Sequence, residues 1–87
     1  MIRMFVRHDV NDYDAWRKVY DDFDRKSMGV KDSAVYRAAG NPNDVTVWHD
    51  FDSLEAAQAL AGSAELRDAM GKAGVASEPS IWFVSAA

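Results

Sequence analysis

The spacing of apolar residues changes repeatedly along this chain, and this feature constrains its fold more than any other. Residues 2–9 place Ile2, Met4, Val6 and His8 on one side with a period of two, which is typical of a β-strand. After residue 12 the apolar residues are spaced three or four apart, which indicates a helix. Asn11 or Asp12 can cap this helix. The apolar stripe of that helix consists of Tyr13, Trp16, Val19, Tyr20 and Phe23. Gly29 is expected to end it.

The second half of the chain repeats this change of period. Residues 33–39 and 45–51 predict two strands, and the Asn-Pro-Asn-Asp segment at 41–44 predicts the turn between them. The capping-box pattern at 52–55, with an acidic cap at Asp52, begins a helix over 53–61. Ser63 can cap a continuation of that helix to Gly74, and residues 81–85 form the last strand. We therefore predict one α+β domain, residues 1–87, with ferredoxin-like βαββαβ order: an antiparallel four-stranded sheet with two helices on one face.

Length and composition limit the partners of this domain. A chain of 87 residues without cysteine buries a marginal core, so association into a homodimer is the expected way to bury more apolar surface. The net charge of -4, without a Lys/Arg cluster, argues against nucleic acid. The chain has no apolar leader and no run of eighteen apolar residues, which predicts a cytoplasmic protein that does not use a membrane.

Two histidines are the candidate catalytic residues. Within the sheet we expect the first and third strands to lie side by side and parallel in the middle, which would make His8 and His49 near neighbours under the helices. Imidazoles titrate near neutral pH, so this pair could act in general acid/base catalysis or share a proton. The alternative is that both are strand-end residues hydrogen-bonded to Asp9, Asp50 or the backbone. No metal-binding spacing is present, and no metal or other cofactor is expected.

Aromatic side chains of the first helix are the candidate substrate-binding residues. Tyr13, Trp16, Tyr20 and Phe23 could form the wall of a pocket, because the second helix is rich in alanine and leaves room opposite them. The alternative is an ordinary amphipathic core stripe. Arg37, on the second strand, could compensate negative charge on a substrate oxygen or could pair with an acidic side chain.

The opposite side of the central strands has a different composition. It carries Arg3, Phe5 and Arg7 on the first strand and Trp48 on the third, together with Asp50. This side is too aromatic for a solvated surface and too charged for a core. Arginine and tryptophan are enriched at protein interfaces, so we predict that the sheet face formed by Arg3, Phe5, Arg7 and Trp48 mediates an isologous homodimer.

The chain resembles the dimeric α/β barrel superfamily, and within it the antibiotic-biosynthesis-monooxygenase-like group of small proteins. The resemblance covers nearly the whole chain and is carried by five segments: residues 8–10, 13–16, 41–47, 51–57 and 63–75. It implies a dimer with a pocket between sheet and helices, and activities such as cofactor-free oxygenation or cyclisation of aromatic polyketides, haem degradation and isomerisation. Haem-degrading members resemble one another in a histidine on the second helix, which this chain lacks. No catalytic residue is therefore transferred from the family.

These observations lead to two hypotheses of function. In the first, the chain is a small-molecule-binding homodimer of cofactor-free monooxygenase or cyclase type, acting on an aromatic or polyketide-like compound. His8 or His49 would move the proton, Tyr13 and Trp16 would position the ring, and Arg37 would compensate charge. In the alternative, the chain is a non-catalytic dimeric binding or structural module. A cavity that both imidazoles face would favour the first hypothesis, and a filled core would favour the second.

Overall fold

The computed structural model describes residues 1–87 and contains four strands, three α-helices and one short 3-10 helix. In chain order the elements are β1 (Ile2–Asp9), α1 (Tyr13–Asp22), the 3-10 helix (Lys26–Met28), β2 (Asp32–Ala38), β3 (Asn41–Phe51), α2 (Leu54–Ala61), α3 (Ala64–Lys72) and β4 (Ser80–Ser85). The predicted ferredoxin-like order is confirmed, with the second helical segment divided into α2 and α3. None of the helices is both long and apolar enough to cross a bilayer.

The sheet has the strand order β2-β3-β1-β4, and every neighbouring pair is antiparallel. The predicted antiparallel sheet is confirmed, but the expectation that β1 and β3 run parallel was wrong. The crossover through α1 makes β1 parallel to β2, and β3 returns from β2 into the space between them. The register pairs His8 with Val45 and Met4 with His49, so the two histidines lie towards opposite ends of the central strands.

One face of the sheet is buried under the helices. Met4, Val6 and His8 of β1 alternate onto this face, as the period of two requires, and are at most 5% exposed. Val45, Val47 and His49 of β3 lie on the same face and are equally buried. The predicted inward side of both strands is therefore confirmed.

The boundaries of several elements differ from those predicted. The β2–β3 turn is at Ala39 and Gly40, and β3 already begins at Asn41. Helix α1 ends before Phe23, because Asp24 accepts a hydrogen bond from the Ser27 amide (3.2 Å) and begins a separate turn. Gly29 (φ 91°) ends that 3-10 turn instead of α1.

Serine hydroxyls define where α2 and α3 begin. Ser53, not Asp52, caps α2 by accepting a hydrogen bond from the Ala56 amide at 3.2 Å. Ser63 caps α3 as predicted, accepting from the Leu66 amide at 3.1 Å, and its hydroxyl also donates to the Leu60 carbonyl at 2.8 Å. Helix α2 buries two of its residues, whereas α3 buries none. Consequently α2 is anchored in the core and α3 forms an outer cover.

We expect Leu60→Ala to lower the free energy of unfolding by about 2–5 kcal/mol, because Leu60 is 1% exposed and its removal leaves a cavity. Leu54→Ala is the matched control on the same helix. Leu54 is 41% exposed, so its truncation should change stability by no more than about 0.5 kcal/mol. Urea denaturation followed by circular dichroism measures both values, and equal losses would contradict the packing described here.

Candidate functional site

A cavity of about 50 Å³ lies between the buried face of the sheet and the three helices. Thirteen residues line it, and eleven of them are hydrophobic; His8 and His49 are the two exceptions. This volume holds one or two water molecules, whereas pockets for drug-sized ligands are about 300–1,000 Å³. The cavity is therefore a small apolar space with an imidazole towards each end.

His8 is buried near the end of β1 without a hydrogen-bonding partner. It is 5% exposed, and neither Nδ1 nor Nε2 has a partner among the protein's atoms. Its ring meets Trp16 edge-on, with 5.9 Å between ring centroids. Burial lowers the pKa of His8, and the nearby Asp9 opposes this only in part. His8 is thus a neutral imidazole at pH 7 with both nitrogens available.

His49 is equally buried but is held by one hydrogen bond. Its Nε2 lies 3.3 Å from the Tyr20 hydroxyl, while its Nδ1 has no partner. Burial, and secondarily the positive charge of Arg25, lower the pKa of His49 to about 4, although Asp50 opposes the shift. His49 is therefore also neutral at pH 7.

The two histidines are not near neighbours, so that prediction was wrong. The antiparallel register separates them by four residues, or about 13 Å along the strands, which is too far to share a proton. The alternative expectation also fails, because neither imidazole bonds to Asp9 or Asp50. The Asp50 carboxylate instead accepts two hydrogen bonds from the Arg3 guanidinium, at 2.8 and 3.0 Å.

The aromatic residues of α1 form the wall between the histidines. Trp16 is 3% exposed and stacks on Tyr20 with 4.9 Å between centroids, and both line the cavity. Tyr13 stacks on the other side of Trp16 but does not line the cavity, and Arg37 lies 4.1 Å from the centre of the Tyr13 ring. The structure therefore brings together His8, Trp16, Tyr20 and His49 of the predicted site residues and leaves Tyr13 and Arg37 outside.

Sequence reasoning missed the side of the cavity formed by α3. Leu66, Ala69 and Met70 complete the lining there. The spacing of Leu66 and Met70 indicates a helix face, yet nothing in the pattern shows that this face covers the histidines. Arg25 was also missed: its guanidinium lies 4.1 Å from the centre of the Tyr20 ring and donates to the Tyr20 carbonyl oxygen.

The outer face of the sheet carries the predicted aromatic and charged residues. The Arg3 guanidinium lies 3.7 Å from the centre of the Trp48 ring, and Phe5 stacks on Trp82 with 5.2 Å between centroids. Trp82 is 41% exposed and Tyr36 is 56% exposed. The chain thus leaves a sheet face with aromatic and charged side chains in contact with solvent.

This architecture is a ferredoxin-like fold that is also found in solved structures described as antibiotic biosynthesis monooxygenases, so the fold implied by the resemblance is confirmed. A structure described as an antibiotic biosynthesis monooxygenase superposes with a TM-score of 0.75 at 8% identity, covering 100% of this chain and 99% of that one. A protein from Caulobacter crescentus CB15, provisionally assigned the same activity, has a TM-score of 0.76 at 18% identity, covering 99% and 89%. A conserved protein from Methanosarcina mazei Go1 has a TM-score of 0.74 at 14% identity, covering 95% and 89%.

No protein-family model matches the chain, and no curated protein matches its sequence significantly. Identities of 8–18% to the solved structures establish a common fold and leave the chemistry to be argued from the site.

We expect acidification from pH 6.5 to pH 5 to destabilise the fold. The folded protein keeps both imidazoles neutral, whereas the unfolded chain protonates them near pH 6.5, so the unfolded state binds more protons in this range. With a folded-state pKa of about 4, His49 alone accounts for about 2 kcal/mol of this loss. Urea midpoints across this range measure it. His49→Gln should flatten the dependence, and an unchanged slope in this variant would contradict a buried neutral His49.

Proposed function

We propose that this chain is a cytoplasmic, small-molecule-binding homodimer whose cavity acts on a small aromatic or polyketide-like compound by cofactor-free, histidine-based proton transfer of monooxygenase or cyclase type. One observation carries the proposal. Three of the four imidazole nitrogens in an otherwise apolar cavity have no partner in the protein. Each buried polar atom left without a partner costs about 1–3 kcal/mol, so their presence needs a reason beyond packing.

Proton abstraction is the first step that both proposed reaction types share. A neutral His8 can accept a proton from a carbon or hydroxyl group that an adjacent carbonyl makes acidic, and the substrate keeps the electron pair as an enolate. Such an enolate can attack a second carbonyl in a cyclisation or react with dioxygen in an oxygenation. Trp16 lines the cavity beside His8 and can contact the substrate there. Tyr13 and Arg37 do not line the cavity, so they make no direct contact with the substrate.

Entry of such a compound requires the cavity to enlarge. A benzene-sized ligand occupies a cavity of about 150 Å³, three times the volume present. Among the three α-helices over the cavity, α3 is the one whose displacement costs least, because it alone has no fully buried residue. In the proposal, α3 moves outward to admit the ligand while α2 and the sheet stay in place.

A non-catalytic binding or structural module is the second candidate, and the small volume of the cavity favours it. In that case the unpartnered imidazole nitrogens bind water, and the outer sheet face is the functional surface. The two candidates differ in whether the cavity accepts a ring and whether His8 moves a proton.

Hydrogen–deuterium exchange at the carbon beside a ketone tests the proton-transfer step directly. We expect the protein to accelerate exchange of the acidic CH2 protons of 1-tetralone in D2O, followed by proton NMR. His8→Gln should lower the enzymatic rate at least about 100-fold, because glutamine cannot accept the proton. Leu54→Ala, which truncates an exposed side chain, serves as the folded control and should retain the full rate. Exchange at the buffer rate with the unmodified protein, without shifts of cavity resonances, would favour the non-catalytic candidate.

The outer sheet face supports the homodimer part of the proposal. Arg3, Phe5, Arg7 and Trp48 lie on this face, and Trp82 of β4 extends it. Each arginine is already paired with a carboxylate of its own chain, Arg3 with Asp50 and Arg7 with Asp44. The arginine side chains can therefore enter an interface with their charge compensated, and the exposed aromatic rings supply the apolar area.

We expect Trp82→Glu to convert the dimer to a monomer, because it replaces an aromatic ring of the proposed interface by an unpaired charge. Leu54→Glu is the matched control: Leu54 and Trp82 are both 41% exposed, but Leu54 lies on α2, away from the outer sheet face. Sedimentation velocity measures the masses of both variants and of the unmodified protein. A monomeric unmodified protein, or a dimer unaffected by Trp82→Glu, would show that this face is not the interface.

A further inference from the structure

The Tyr20 hydroxyl and His49 form the only hydrogen bond between side chains in the cavity lining. The oxygen of Tyr20 lies 3.3 Å from Nε2 of His49, and Tyr20 makes no other side-chain hydrogen bond. His49 Nδ1 is buried without a partner. The direction of this one bond therefore decides which nitrogen of a neutral His49 carries the proton.

Two arguments give the direction of the bond. An imidazole nitrogen is a stronger acceptor than a phenol oxygen, so the bond is stronger when Tyr20 donates. If His49 Nε2 donated instead, the tyrosine hydrogen would have no acceptor, since Tyr20 has no second partner. The arrangement in which Tyr20 donates leaves fewer unsatisfied groups.

Arg25 reinforces this direction. Its guanidinium lies 4.1 Å from the centre of the Tyr20 ring and binds the Tyr20 carbonyl oxygen, which fixes the ring in place. A cation over the ring withdraws electron density from the phenol and makes its hydroxyl a better donor. The same cation disfavours a second proton on His49, so the imidazole remains neutral.

We propose that Tyr20 is a positioning residue that holds His49 in the Nδ1–H tautomer and so makes this end of the cavity a hydrogen-bond donor for a carbonyl oxygen of the ligand. Free neutral histidine favours the opposite tautomer, Nε2–H, so the assignment departs from the intrinsic preference of the side chain. His8, which has no partner on either nitrogen, keeps that intrinsic preference. The tautomer is a property of the unliganded protein, and only the assignment of a carbonyl-bearing ligand rests on the proposed function.

The two chemically distinct ends suit a ketone- or quinone-type compound. His49 Nδ1–H can donate to one carbonyl oxygen of the ligand and so fix the orientation of the ring. His8 lies about 13 Å away along the strands and can meet a second polar group at the other end of an elongated ring system.

Nitrogen-15 NMR of the two imidazoles tests the tautomer without a ligand. The chain has two histidines, so both ring spectra can be assigned, and His8 is an internal reference. At pH 7 we expect His49 to show protonated Nδ1 and unprotonated Nε2, and His8 to show the reverse. Tyr20→Phe removes only the hydroxyl and should return His49 to Nε2–H. Tyr36→Phe, at an exposed position outside the cavity, should leave both rings unchanged. A His49 ring in the Nε2–H form in the unmodified protein would overturn the proposal.

Two ligands that differ only in a ketone test whether His49 donates a hydrogen bond to a carbonyl group. 1-Tetralone and tetralin share a two-ring skeleton and differ in the ketone. We expect the affinity of 1-tetralone relative to tetralin to fall about tenfold in Tyr20→Phe, because the ligand then meets a lone pair in place of an N–H. An unchanged ratio would overturn the carbonyl assignment. If the unmodified protein binds neither compound, the proposed function and the carbonyl assignment fail, while the NMR result still decides the tautomer.

Discussion

The antiparallel pairing of β1 with β3 is the constraint on which the rest of the structure depends. These two strands occupy the centre of the sheet, and their register places every second residue of each under the helices. A shift of β1 by one residue relative to β3 would turn His8 to the outer face and bring Arg3 into the core. The cavity, the outer sheet face and the separation of the histidines all follow from this one pairing.

The three α-helices that cover this face of the sheet are buried to different extents. Trp16 of α1 and Leu60 of α2 are almost fully buried, so these helices are held by the core. Helix α3 begins at its own serine cap, which also bonds the end of α2, and its apolar side chains Leu66 and Met70 are only partly buried. Stability is therefore concentrated in the sheet, α1 and α2. The element over the histidines is the one that can move at least cost.

The electrostatics of the two sheet faces differ in a way that fits their proposed roles. On the outer face, the guanidinium of Arg3 is bound to the Asp50 carboxylate, so charge is compensated before any contact with a partner. On the inner face, burial keeps both imidazoles neutral, and three of their nitrogens have no partner within the protein. A neutral imidazole can hydrogen-bond a neutral ligand, and a proton that it takes from this ligand leaves an ion pair without net charge in the cavity. The fold alone, which is common to many structures, does not provide this property.

The sequence by itself determined the element order, the inward side of the central strands and the burial of Trp16, because these depend on local periodicity that any window of the chain displays. It also identified four of the cavity residues, His8, Trp16, Tyr20 and His49, by residue type and phase. The register of β1 against β3, the distance between the histidines, the bond from Tyr20 to His49 and the position of Arg37 outside the cavity were decided only by the tertiary structure. Those features depend on which distant segments pair and in which register, and a pattern with a period of two is identical for parallel and antiparallel neighbours.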